Sequence, residues 1–353
     1  MTTTELDVDY VLPLRWQDDR DLADLAEYLR GISPYVRIIV VDGSDEELFR
    51  SHCRTLDEIA DVVRPCFAGR NGKVTGVLTG LARCHSEHVV IADDDVRYNP
   101  FSLAAVVAAL ADADLVGPQN YFSPSPWHGR WDTARSLLNR CFGADYPGTF
   151  AVRRSRFVAM GGYSATVLFE NLELMRTVRA AGGRVSRPLG IYVERRPPSS
   201  AKFFSQRIRQ AYDDLAQPPR AALFLAVVPA VLVTALRRPG WLIPAAAAIV
   251  GMAEVGRRRA GGRSVLPASG SLLAPLWVLE RGICSWLAVG CRWRYGGVRF
   301  GPHRLRRAAH SNRELRAMAR HRRDALLAEP EEGSGRPVRP LIETVVGEPA
   351  ALM

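Results

Sequence analysis

The segment HVVIADDDVRYNP, His88 to Pro100, limits the possible architectures more than any other part of the chain. Val89, Val90 and Ile91 form the short apolar run that a buried parallel strand requires. The run ends in three consecutive carboxylates, Asp93, Asp94 and Asp95. Adjacent anions repel one another, so a cation is the natural compensation for the cluster. If the strand's alternation continues, Asp93 and Asp95 face one site and Asp94 turns away. In an open α/β sheet that site lies beyond the carboxyl ends of the strands, where ligands bind. These residues therefore predict a divalent cation holding a diphosphate. The alternative is a solvated acidic turn that caps the next helix.

The preceding residues supply the sheet. Tyr10–Leu14 reads as a first strand, and Leu22, Leu25, Ala26 and Leu29 recur at helical spacing until Gly31 gives a stop signal. Arg37–Val41 reads as a second strand, turning at Asp42-Gly43-Ser44 into a helix. Asp57–Val63 leads toward a strand near Val63–Phe67. Arg70–Lys73 forms a turn, and Val74–Cys84 a helix whose Gly76 and Gly80 permit close approach to the sheet. Right-handed crossovers then bring the strand ends to one edge, giving a doubly wound α/β domain. Further on, Leu103–Leu110 reads as a helix, Asp114–Pro118 as a strand, and Asn120–Trp131 as a loop over the site. Asp145–Val152 turns into a strand, and Gly161-Gly162 makes a tight turn. Phe169–Gly182 is a helix opened by acids and closed by glycine. Val185–Val193 reads as the domain's last strand and Ser200–Leu215 as a basic amphipathic helix.

After Pro218-Pro219 the pattern changes. Ala221–Leu236 is uncharged for 16 residues and Trp241–Ala253 for 13. Both fall short of the roughly 20 residues that span a hydrocarbon core, although flanking residues can extend them. A third apolar stretch, Val265–Val289, is interrupted by Glu280-Arg281, a costly pair at mid-depth that predicts a partly interfacial segment. Arginines flank all three. The basic Arg237-Pro239 link suggests either a re-entrant hairpin or one exception to the positive-inside rule. The expectation is two or three membrane-embedded helices; a soluble helical core domain is the competing reading. The net charge of +10 comes almost wholly from arginine, because lysine occurs only at Lys73 and Lys202. Those arginines cluster beside apolar segments, which fits a membrane surface better than nucleic acid. The six cysteines show no metal-ligand spacing and read as reduced, mostly buried thiols. The start, MTTTELDVDY, has neither the basic nor the apolar region of a signal peptide. The expected divisions are 1–218, a catalytic domain; 219–300, membrane-embedded helices; and 301–353, a basic segment with a disordered tail from Glu329.

The order of these motifs resembles the family 2 glycosyltransferases of the GT-A fold, in the membrane-bound branch that includes ceramide glucosyltransferase-like enzymes. The likeness covers roughly Tyr10 to Leu215. Val11-Leu12-Pro13 and Val41-Asp42-Gly43-Ser44 resemble the family's nucleotide-holding segments, which implies that Pro13 and Asp42 face the donor's base or ribose. Asn71-Gly72-Lys73 with Gly80 resembles a further donor segment, implying Asn71 and Lys73 as donor-binding residues. Asp93-Asp94-Asp95 resembles the DxD motif. The resemblance places Asp93 and Asp94 at the nucleotide sugar, and assigns Mg²⁺ or Mn²⁺ to Asp93 and Asp95.

On the acceptor side, Gly148-Thr149-Phe150-Ala151-Val152-Arg153-Arg154 and Gly161-Gly162-Tyr163 resemble family segments, implying Gly148 and Thr149 in substrate binding. Glu170-Asn171-Leu172-Glu173-Leu174 falls where the family has its ED motif, whose carboxylate takes the acceptor's proton. Asn171 replaces that Asp, and an amide cannot act as a base, so Glu170 is the nearest substitute, with Glu173 one helical turn on and an acceptor that needs little activation as a third option. Gln206-Arg207-Ile208-Arg209-Gln210 resembles QxxRW, implying Arg209 at the diphosphate and Gln206 near the acceptor. The implied function is inverting sugar transfer from a nucleotide-diphosphate sugar, UDP-sugars favoured, to a lipid or polysaccharide acceptor, at the cytoplasmic face of the cell membrane. A degenerate family member that binds a nucleotide sugar or a partner is the alternative. A nucleotidyltransferase would want a Gly-rich phosphate loop after the first strand, and Pro13–Asp19 is not one.

Overall fold

In the computed structural model, residues 7–301 and 303–328 are described. They group into two compact units. The first gathers the chain up to Gly117, Gly148–Ser186, and the segment from His310; the second gathers Pro118–Pro147 and Arg187–Ala309. The expected disordered tail from Glu329 lies outside the described residues.

The first unit is built on a seven-stranded sheet. Its order is Asp61–Val63, Arg37–Asp42, Val8–Leu14, His88–Ala92, Thr149–Arg153, Leu115–Val116 and Val185–Ser186. The first four strands run parallel, with Tyr10 opposite both Ile38 and Val90, while Thr149–Arg153 runs antiparallel to its two neighbours. Valine and isoleucine fill these strands because both faces are covered, and Val11, Ile39, Val40, Val89 and Val90 are fully buried. This is the doubly wound α/β arrangement that the sequence predicts.

Helix Gly72–Arg83 begins where the Asn71 side chain accepts hydrogen bonds from the Lys73 and Val74 amides. It lies close on the sheet: a Cβ on Gly80 would come within 2.3 Å of Val11 Cγ1, and one on Gly76 within 2.8 Å of Pro13 Cβ. Gly80→Ala is therefore expected to destabilise the protein by about 1–3 kcal/mol through overpacking, read as a lower unfolding temperature in detergent. An unchanged transition would mean that the helix can shift outward freely.

Several boundaries differ from expectation. Helix Leu22–Ile32 runs through Gly31 and is capped at Ser33, because Pro34 has no N–H to continue the helical ladder. The third strand is Asp61–Val63 rather than Val63–Phe67, since Pro65 cannot donate to a ladder. Val185–Val193 is not one strand: Val185–Ser186 belongs to the first unit's sheet, and Tyr192–Arg195 pairs with Gln119–Phe122 in the second unit. Pro188 and Gly190 interrupt it. Asn120–Trp131 is not a loop either; it forms the strand Gln119–Phe122 and opens the helix Trp127–Phe142. Trp127, Trp131, Ala134, Leu138 and Cys141 carry that helix's periodicity, which the Pro- and Ser-rich start obscures.

The second unit contains three helical segments long and apolar enough to cross a membrane: Pro218–Arg237 (20 residues), Pro239–Ser264 (26) and Ala268–Tyr295 (28). Many of their apolar side chains point outward, Leu236 being 85% and Ile243 78% exposed. A bundle packed for water would hide such residues. Inside the unit, Ala134 and Leu137 of helix Trp127–Phe142 meet Phe224, Ala253, Leu266, Ala274 and Trp277. Arg140 is buried there and donates to the carbonyls of Gly256, Leu189 and Arg259, to Gln119 Oε1 and to the Tyr192 hydroxyl.

The Glu280-Arg281 pair, expected to draw its segment toward the interface, has partners within the unit. Glu280 accepts from Trp131 Nε1 at 3.3 Å and lies 3.8 Å from Arg207 Nη1. Arg281 Nη1 lies 3.6 Å from Asp214 Oδ2. Compensation by protein charges replaces the lipid-depth penalty that the sequence suggests. The six cysteines form no disulfide, but only Cys84 and Cys284 are buried, fewer than expected.

Candidate active site

The site forms at the carboxyl ends of the first unit's parallel strands. The strand His88–Ala92 ends before the acidic cluster, so Asp93, Asp94 and Asp95 occupy a turn, closed by the Val96 amide donating to the Asp93 carbonyl at 3.1 Å. The turn still separates the carboxylates, though not by strand alternation. Asp93 Oδ1 lies 2.6 Å from Lys73 Nζ, whereas Asp94 Oδ2 accepts the indole N–H of Trp16. Asp95 is half-buried beside them. The Asp93 amide donates to the Gly148 carbonyl at 3.2 Å, which joins the acidic turn to the strand that Thr149 begins.

Lys73 is the electrostatic centre. Its ammonium also lies 2.9 Å from Glu170 Oε1, so one cation bridges the acidic turn and the first residue of helix Glu170–Ala180. Burial disfavours that charge, but Asp93 and Glu170 outweigh the burial and hold the Lys73 pKa well above its ordinary value. A raised lysine pKa contributes stability that is complete below the ordinary value and fades only as pH rises through the raised one. The bridge is therefore intact across the neutral range. Tyr163, buried after the Gly161-Gly162 turn, is pushed up by burial first and then by Glu170 and Asp93. The two glycines, at φ of 69° and 72°, make the turn that carries it.

Other predicted residues are engaged within the protein. Asp42 is fully buried; its Oδ1 accepts the Ser44 amide at 2.8 Å and its Oδ2 contacts His52 Nδ1 at 2.7 Å. Asn71 caps its helix and donates to the Val167 carbonyl at 2.9 Å. Pro13 packs where Gly76 allows it. Thr149 is buried, donating to the Ile91 carbonyl at 2.7 Å and sharing a 3.0 Å hydrogen bond with the Tyr98 hydroxyl. Asn171 is half-buried beside Glu170. Glu173 is fully buried, and both its oxygens bind His310, at 2.8 Å to the amide and 2.6 Å to Nδ1. Gln206 and Arg209 belong to the second unit, where Arg209 lies over the Phe300 ring at 5.3 Å.

Sequence reasoning passes over Trp16 and His52. His52 is fully buried, with Nε2 2.9 Å from Asp19 Oδ1 and its ring edge-on to Trp16. The Trp16 amide donates to Ser44 Oγ at 2.9 Å, so Trp16 links the Asp42 turn to Asp94. The dipeptide Arg15-Trp16 after the first strand is the only local signal for this.

Asp93 and Asp95 are the residues that would hold a cation. An all-oxygen pair of carboxylates suits Mg²⁺ or Mn²⁺, which take further ligands from water and substrate phosphates. Among the described residues, no group of three or more His, Cys, Asp or Glu side chains is placed to hold a metal ion. A cation at this pair would have to take its remaining ligands from water and a bound diphosphate.

Residues 22–166, which include the Asp42 turn, Lys73 and the acidic cluster, match the family described as Glycosyl transferase family 2. That stretch resembles a family 2 glycosyltransferase domain. That match ends before Glu170 and the apolar helices. No curated protein matches the chain. Among solved structures, the chain is similar to a mannosyltransferase, PcManGT from Pyrobaculum calidifontis in complex with GDP-Man and Mn²⁺. The identity is 19%, over 92% of this chain and 87% of that one, with a TM-score of 0.45. It is also similar to glucosyl-3-phosphoglycerate synthase from Mycobacterium tuberculosis, at 18% identity over 55% of this chain and 74% of that one, with a TM-score of 0.40. At these scores neither likeness carries an argument about fold or activity. The GT-A-like reading of the first unit rests on the sheet itself and on the match over residues 22–166.

Proposed function

We propose that the protein is an inverting glycosyltransferase that moves a sugar from a nucleotide-diphosphate sugar to a lipid or lipid-linked acceptor at the cytoplasmic face of the membrane. The observation that carries the reading is the Lys73 bridge, which sets Glu170 beside the acidic turn at the sheet's carboxyl edge. The three long apolar segments support an acceptor presented by the bilayer. A divalent cation on Asp93 and Asp95, when bound, neutralises charge on the departing diphosphate.

The chain's own residues supply the rest. The acceptor oxygen bonds to the anomeric carbon as the bond from that carbon to the diphosphate oxygen breaks. The bonding electrons leave with the nucleoside diphosphate, and the acceptor's proton passes to the Glu170 carboxylate. Glu170 is preferred over Glu173 because Glu173 has both oxygens occupied by His310. Lys73 holds Glu170 and Asp93 in register and offsets their mutual repulsion. UDP-sugars are the favoured donors. A second reading, a domain that binds nucleotide sugar without transferring it, is favoured by Asn171 standing where a base would be.

The test uses solubilised protein with UDP-, GDP- and dTDP-sugars, Mn²⁺, Mg²⁺ or EDTA, and total lipid as acceptor. One donor is expected to turn over, with EDTA abolishing transfer. Glu170→Gln is expected to lower kcat by about a hundredfold or more while donor binding persists. Metal-dependent nucleotide binding without turnover would establish the second reading instead.

A further inference from the structure

After the last apolar helix, which ends at Tyr295, the chain returns to the first unit at His310. There it meets the helix Glu170–Ala180 through every polar group that His310 possesses on that side. Its amide donates to Glu173 Oε2 at 2.8 Å, and its Nδ1 lies 2.6 Å from Glu173 Oε1. A carboxylate only accepts, so Nδ1 is the donor of that pair. Arg176 Nη1, one turn further along the helix, donates to the His310 carbonyl at 2.7 Å. Ser311 and Glu314 then form reciprocal caps, starting the helix Asn312–Ala328. Leu315 is buried, and Arg322 donates to the Met160 carbonyl beside the Gly161-Gly162 turn at 2.8 Å.

We infer that His310 is a positioning residue for the transfer site, fixing the rotation and height of the helix turn that presents Glu170. The inference rests on the proposed role of Glu170. Glu173 lies one turn below Glu170, and its amide closes that turn on the Phe169 carbonyl at 3.1 Å. A fully buried carboxylate cannot leave its partners without an uncompensated charge, so the two-point grip on Glu173 is stiff. Movement of the turn would carry the Glu170 carboxylate away from Lys73 and from the attacking hydroxyl. Reacting groups displaced by about 1 Å lose roughly a hundredfold in rate.

The experiment compares His310→Ala, His310→Asn and Arg176→Met in the full-length, solubilised protein, with Glu170→Gln as reference. Turnover is measured below the unfolding transition, and amide hydrogen exchange is followed across residues 170–173. In His310→Ala, kcat should fall about tenfold or more with nucleotide affinity and KM for donor nearly unchanged, as expected of misplacement rather than lost binding. The Asn side chain, whose amide can replace the Nδ1 donor, should recover much of the rate. Arg176→Met should show a milder loss in the same sense, and it keeps the comparison available if His310→Ala does not fold. Faster exchange should be confined to the first turn. A folded His310→Ala or Arg176→Met protein with wild-type kcat and wild-type exchange overturns the inference. Loss of turnover that only tracks the unfolded fraction overturns it as well. If the unaltered protein transfers no sugar while the variants still loosen residues 170–173, the transferase reading fails and the grip on the helix stands.

Discussion

Lys73→Met is expected to abolish sugar transfer and to lower stability by about 2–4 kcal/mol. The ammonium lies 2.6 Å from Asp93 and 2.9 Å from Glu170, and its side chain is 20% exposed. Removing it leaves two carboxylates that face each other with little water to screen them. They must then separate, which carries Asp93 away from the diphosphate site and Glu170 away from the acceptor. Adding Asp93→Asn to Lys73→Met should restore most of the stability without restoring activity, because it removes the repulsion and not the lost geometry. Unfolding transitions in detergent and turnover of the donor identified in the panel provide the two readings. A Lys73→Met protein as stable and as active as the wild type would remove the bridge from the account.

The second large effect is expected in the second unit. Arg207 grips Asp132 with two nitrogens, at 2.7 and 3.2 Å, while donating to the Phe203 carbonyl and to Gln210 Oε1. Both side chains are less than a tenth exposed. Breaking a buried pair by removing one partner costs about 3–5 kcal/mol, because the remaining charge is stranded. Arg207→Met should therefore give protein that unfolds far more readily or does not accumulate. Arg207→Lys should rescue poorly, since an ammonium cannot offer the planar fork. The double replacement Arg207→Met with Asp132→Leu should recover much of the loss, as apolar substitutes for buried pairs often do. A single variant with a wild-type transition would show that water reaches Asp132 easily.

The sheet and the acidic turn are legible in the sequence because both depend on local pattern. Apolar runs mark the strands, those of Arg37–Asp42 and His88–Ala92 running into Asp, and Gly76 and Gly80 mark the helix that approaches them. The failures have physical causes of the opposite kind. The helix Trp127–Phe142 begins in a segment whose proline and serine read as loop, and its apolar face is defined by helices more than eighty residues away. The split of Val185–Val193 between two sheets follows from partners that no local periodicity reveals. Glu173 looks like an acid decorating a helix start until His310, far along the chain, occupies both its oxygens. Trp16 and His52 are missed for the same reason, because each acquires meaning only through carboxylates brought near it by folding. The pair Glu280-Arg281 looks costly only when its partners Trp131, Arg207 and Asp214 are unknown.

The first unit is assembled from three separate stretches of chain, and the last begins at His310, after all three apolar helices. A ribosome therefore releases the acidic turn and Lys73 early, and the residue that grips the Glu170 helix only after the final apolar segment has been translated. Until then Glu173 has no His310 to bind, and the helix that presents Glu170 lacks its fastening. The order of synthesis thus places completion of the first unit behind synthesis of the three apolar helices. A chain interrupted before His310 would hold the acidic turn and Lys73 without a fastened Glu170 helix, so completion of the first unit waits on the apolar segments by the arrangement of the sequence itself.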